Sequence, residues 1–114
     1  MRERSYSRII RRELEMTITE VKGEDAVQLN VEGNVDTNTA PQLQMHILQS
    51  FQKSKNVVLE MSECPYMSSA GLRALLLGTK TASSKGGALK LVNVQPTVMD
   101  VFSVSGFSTI LNIV

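Results

Sequence analysis

The chain has 114 residues, a formal net charge of +1 and a hydrophobic fraction of 42%, which suits one soluble globular domain and leaves little room for a second. No apolar run approaches the roughly 18 residues of a membrane span, and the charged N-terminus lacks the apolar core of a secretory signal. The single cysteine, Cys64, cannot form an intrachain disulfide, in keeping with a reducing, cytoplasmic setting.

Residues 1–15 hold five arginines against three glutamates. They read as a basic, solvated extension before a nearly neutral body at 16–114, which offers no electrostatic footprint for nucleic acid. From Met16 to Val21 apolar and polar residues alternate, then again from Ala26 to Glu32, across the turn cluster Gly23-Glu24-Asp25. Two such runs predict a β-hairpin. Asn38 or Thr39 is placed to cap a helix with Pro41 in its first turn, and Ala40, Leu43, Ile47, Leu48 and Phe51 recur at helical spacing.

Val57 to Met61 has the length and composition of a buried strand flanked by helices. A loop with Pro65 follows. A second helix starts at Ser68 or Ser69, with Leu72, Leu75, Leu76 and Thr79 on one face and Gly86-Gly87 ending it. Ala88 to Asn93 returns as a strand. Pro96 opens a third helix carrying Val98, Val101 and Phe102, Gly106 stops it, and Ile110 to Val114 forms a last strand. This order predicts an α/β fold, a mixed sheet of about four to five strands with helices packed by right-handed crossovers.

The segment Tyr66-Met67-Ser68-Ser69-Ala70-Gly71-Leu72-Arg73 carries the chemistry. Small polar residues meet a helix start, where backbone N–H groups are unsatisfied and the helix dipole is positive. A phosphate there adds about −1.5 to −2 charges at one surface point without melting the helix. Capping serves equally well as a reason for Ser68 and Ser69. Met67 and Leu77 are candidates for an apolar docking surface near this loop, with plain core filling the more common role for such residues.

Three segments together resemble the STAS domain family of bacterial anti-sigma factor antagonists: Val31-Glu32-Gly33-Asn34-Val35-Asp36, Ser68-Ser69-Ala70-Gly71-Leu72-Arg73, and Gly87 to Val92 followed by Phe102 to Phe107. The resemblance covers nearly everything after the leader. It implies phosphorylation of Ser69, two positions before Gly71, with Ser68 as the alternative. It also implies partner binding through Asp36, Met67, Ser68, Ser69, Gly71, Leu72 and Arg73, although a turn or capping role serves Asp36 equally well. The implied partners are an anti-sigma factor serine kinase of the GHKL type, bound by the unphosphorylated protein so that the sigma factor is freed, and a metal-dependent serine/threonine phosphatase that restores that form. No cofactor is implied, and no nucleic-acid or membrane partner. Many members have an acidic residue where this chain has Ser68, and glycine where it has Arg73.

The same fold also serves as a subunit of transport or lipid-trafficking complexes and as a small-ligand sensor. An enzyme is disfavoured. Ser69 lacks a Gly-x-Ser-x-Gly elbow, the only histidine, His46, has no evident acidic orienter, and no phosphate-cradling glycine loop with its lysine is present. His46 also lacks companions at metal-ligand spacing, and Cys64 has no adjacent basic group to activate it.

Overall fold

A computed structural model describes residues 16–114; the basic extension 1–15 lies outside the described residues. The two alternating runs become β1 (Thr17–Lys22) and β2 (Val27–Glu32). They pair antiparallel from Thr17 opposite Glu32 to Lys22 opposite Val27. The turn between them is closed by Gly23 N–H donating to Ala26 O at 2.9 Å. Val27, Leu29 and Val31 are buried on one face of β2, while β1 forms the sheet edge and is mostly exposed.

Three helix–strand units follow. α1 (Ala40–Lys53), β3 (Asn56–Glu63), α2 (Ser69–Ser84), β4 (Ala88–Val92), α3 (Pro96–Ser105) and β5 (Asn112–Ile113) complete the chain, with a 3₁₀ turn over Phe107–Thr109. The sheet order is β1-β2-β3-β4-β5, with β2 to β5 parallel. Because each crossover steps to the next strand in the same direction, right-handed connection puts the three described helices on one face of the sheet.

That one-sidedness corrects the expectation for the third strand. β3 is not buried on both faces but alternates, with Val57, Leu59 and Met61 inside and Val58 and Glu60 half-buried on the opposite face. Its apolar run comes from β-branched residues on both faces, not from two helical layers. The buried apolar residues of strands and helices form one cluster, including Leu43, Ile47 and Phe51 from α1, Leu72 and Leu75 from α2, and Phe102 from α3. Leu48, Leu76 and Val101 sit at its margin, half-buried rather than inside.

The α1–α2 contact depends on small residues that the leucine spacing did not single out. Ala74, Gly78 and Ala82 are buried along α2. A Cβ on Gly78 would lie 2.9 Å from Ile47 Cγ2 and 2.8 Å from Leu89 Cδ2, so the missing side chain is what lets the helices and sheet close up. The third helix behaves as its proline and glycine predict: Pro96 stands at its first turn, and Gly106 ends it in the left-handed conformation at φ 81°.

Candidate functional site

At the carboxyl ends of β2 and β3 the ladder continues into the two loops beyond the strands. Gly33 N–H donates to Glu63 O at 2.9 Å, Val35 N–H to Tyr66 O at 3.0 Å, and Ser68 N–H to Val35 O at 2.8 Å. Val35 and Met67 pair as an isolated parallel bridge, and both side chains are buried. Two further bonds hold the β3–α2 loop from the side of α3: Gln95 Nε2 donates to Ser62 O at 2.6 Å and Thr97 Oγ1 to Pro65 O at 3.0 Å. These bonds fix Asp36 and the Ser68–Ser69 pair beside each other, although 32 positions separate Asp36 from Ser68 in sequence.

The two serines divide the work. Ser68 is extended, at φ −89° and ψ 175°, and its Oγ accepts from Gly71 N–H at 3.4 Å, so it is the helix cap. Its carbonyl takes the first intrahelical bond, from Leu72 N–H at 3.0 Å. Ser69 is the first helical residue and is exposed, and among the described residues its hydroxyl takes no hydrogen-bond partner. No acidic side chain occupies the first turn of α2.

Gly71 is constrained by what lies beneath the first turn. A Cβ there collides with Met67 Sδ and comes within 2.8 Å of Val35 Cγ1. Met67 is therefore core, only 1% exposed, and not part of the outer surface as its place in the loop suggested. Its alternation with the exposed Tyr66 turns it inward through the bridge to Val35. Leu72 (6% exposed) and Gly71 are buried too. All three pack beneath the loop in the described structure.

Asp36 anchors the approach to α1. Its Oδ1 accepts from Asn38 N–H at 2.9 Å and from Thr39 N–H at 3.0 Å, and its carbonyl accepts from Ala40 N–H at 2.8 Å. Asp36 thus closes the turn ahead of α1, while Thr39, at the N-cap position, makes no side-chain bond to the helix N–H groups. Thr39 stands at the N-cap position but turns its hydroxyl back, accepting from Asp36 N–H at 2.9 Å and donating to Asn34 O at 2.8 Å. This reciprocal pair of side-chain-to-backbone bonds locks the turn that leads into α1.

Outside the loops, α1 and α2 leave an open groove of about 550 Å³, whose walls include Gln44, Met45 and Leu48 of α1 and Ala70 and Arg73 of α2. Met45 is half exposed and Arg73 exposed. Gln44 and Met45 lie off the apolar stripe of α1, which is the one sequence signal that marks this wall. Leu77 is partly exposed on the face of Arg73, but it stands two turns beyond Ser69, about 12 Å along the axis, not beside the loop.

Cys64 lies under the site, buried, with its Sγ donating to Tyr66 O at 3.4 Å. Burial pushes its thiol pKa up, outweighing the hydrogen bonds that pull it down, so it is held as a neutral thiol and not a nucleophile. Among the described residues no three His, Cys, Asp or Glu side chains gather as a metal site needs, and His46 lies half-buried on α1.

A model of the STAS domain family matches residues 17–114. The chain is 37% identical over 81 residues to BtrV of Bordetella bronchiseptica, provisionally named an anti-sigma factor antagonist, covering 70% of each chain. It is 26% identical over 92 residues to the anti-sigma-B factor antagonist of Bacillus subtilis, covering 81% of this chain and 84% of that one. Among solved structures, an anti-sigma factor antagonist from Mycobacterium paratuberculosis superposes with a TM-score of 0.77 at 19% identity, over 87% of this chain and 85% of that chain. At that identity the superposition speaks for the fold.

Proposed function

The chain belongs to the STAS domain family, and from that premise we propose that it is a phosphorylation-controlled anti-sigma factor antagonist with Ser69 as the switch. The observation that carries this reading is the division between the serines: Ser68 caps α2, while Ser69 presents an exposed, uncommitted hydroxyl one residue later. A kinase can modify Ser69 without breaking a bond the fold relies on. The relatives named as anti-sigma factor antagonists support the same role.

In the unphosphorylated state the surface around Ser69, bounded by the Asp36 turn and the exposed wall of the α1–α2 groove, docks on an anti-sigma factor that is a GHKL-type serine kinase, and the sigma factor is released. Transfer of the γ-phosphoryl group to Ser69 Oγ adds a dianion at the centre of that surface. Desolvating it against a partner is costly, so the complex separates. The helix itself tolerates the charge, because an anion at its start faces the positive end of the dipole. A phosphatase of the metal-dependent serine/threonine class removes the phosphate and resets the protein. The antagonist is substrate and ligand in this cycle and supplies no catalytic group; the cycle runs in the cytoplasm. No described helix is long and apolar enough to cross a membrane.

The test is phosphate mapping by mass spectrometry on the protein and on its Ser69→Ala and Ser68→Ala variants, each expressed in its own host under conditions that change sigma-factor use. Loss of the phosphate in Ser69→Ala alone is expected. Phosphorylation that persists in Ser69→Ala, or disappears only in Ser68→Ala, overturns the assignment.

A further inference from the structure

We propose that Arg73 receives the phosphate of Ser69 in cis, so that phosphorylation recruits a guanidinium that otherwise lines the α1–α2 groove. The inference rests on the reading of Ser69 as the modified residue and adds what that modification does next. Residues four apart on a helix face one another, and the favourable order places the anion N-terminal to the cation. Ser69 and Arg73 stand in that order on α2, both exposed. Helical side chains lean back toward the N-terminus, which brings Arg73 over the turn that holds Ser69 and Ala70. Its sharing of the groove wall with Ala70 agrees with that direction.

Arg73 is also free to respond. Among the described residues the ion pair present joins Lys53 to Glu20, at 2.9 Å, and leaves Arg73 without a carboxylate. Arg73 is the one charged residue on the described walls of the groove, whose other members are uncharged, such as Thr37, Gln44, Met45 and Leu48. A guanidinium offers two parallel N–H donors to a phosphate, a match that a lysine does not reproduce. When it turns to Ser69 the groove loses its only cation at the moment the neighbouring surface gains a dianion. The switch therefore changes two patches of surface, not one. The carboxylate on the adjoining turn, Asp36, is engaged with the N–H groups of Asn38 and Thr39.

The experiment uses the full chain with phosphoserine encoded at position 69, so it needs no kinase. The ³¹P resonance is titrated with pH in the otherwise unaltered protein and in Arg73→Gln; the dipole of α2 and Asp36 are common to both. Pairing with Arg73 favours the dianion, so the phosphate midpoint should fall below that of Arg73→Gln by about 0.3 pH unit, the size a solvated ion pair one turn apart gives. The difference should shrink in 1 M salt, where the screening length is about 3 Å. Equal midpoints in the two proteins overturn the proposal, as does a difference that salt leaves untouched. Phosphate mapped to another residue in the native host overturns the Ser69 reading and with it the regulatory role of the pair. That failure is distinguishable, because the encoded protein reports on the pair itself.

Discussion

Replacing Gly71 with alanine tests the packing on which the site depends, because two effects of opposite sign meet there. In an uncrowded helix interior the change is stabilising by about 0.8–1.0 kcal/mol, since alanine loses less backbone freedom than glycine. Here the added methyl overlaps Met67 Sδ and lies 2.8 Å from Val35 Cγ1, well inside the roughly 3.5–4.0 Å of a relaxed carbon contact. Neither neighbour can retreat cheaply, because Met67 is 1% and Val35 0% exposed and their backbones are bridged. Overpacking of this kind costs up to about 3 kcal/mol, so the net expectation is a loss of about 1–2 kcal/mol. For a domain this size that lowers Tm by roughly 4–8 °C per kcal/mol. Urea unfolding followed by circular dichroism measures it directly. An unchanged or raised stability in Gly71→Ala refutes the claim that Met67 and Val35 fill the space beneath the first turn of α2.

Three further outcomes are expected. Ser68→Ala should lose about 0.5–1 kcal/mol by urea unfolding, the low side of a cap because the bond is long at 3.4 Å, whereas Ser69→Ala should stay within about 0.5 kcal/mol of the parent; equal losses would contradict the division between the serines. Asp36→Ala removes the acceptor for two backbone N–H groups of the turn before α1 and should cost about 1–2 kcal/mol by the same assay, and a stability equal to the parent's would show that the turn does not depend on it. Because burial raises the Cys64 pKa in the folded state, the unfolded chain releases that proton first. The stability it contributes is present below the ordinary thiol value, about 8.5, and is lost as pH climbs toward the folded value. The fall in urea midpoint between pH 7 and pH 10 should be smaller in Cys64→Ala, and an identical fall would show that the thiol is not protected.

The residues that local rules read well are those whose neighbours in sequence are also their neighbours in space. Val27, Leu29 and Val31 alternate and face the core together; Pro96 and Gly106 bracket α3. The direction of Met67 is decided by a bridge to Val35, 32 positions away, and no local pattern reports such a contact. Asn38 and Thr39 are both good capping residues by type, yet neither side chain caps α1, because the Thr39 hydroxyl is turned back to Asn34 O and Asp36 N–H. Gly78 and Ala74 carry no local pattern, because a small residue matters only when something presses against it.

By itself the sequence determined the order of strands and helices, the one-domain architecture and the serine-rich helix start, since hydrophobic period, turn chemistry and capping act over a few residues. Which serine is the cap and which is exposed, which loop residues are core, and the placing of Asp36 beside Ser68 all follow from long-range contacts. Those outcomes depend on hydrogen bonds and contacts between β2–α1 and β3–α2, elements that meet because adjacent parallel strands carry their following loops to the same end of the sheet.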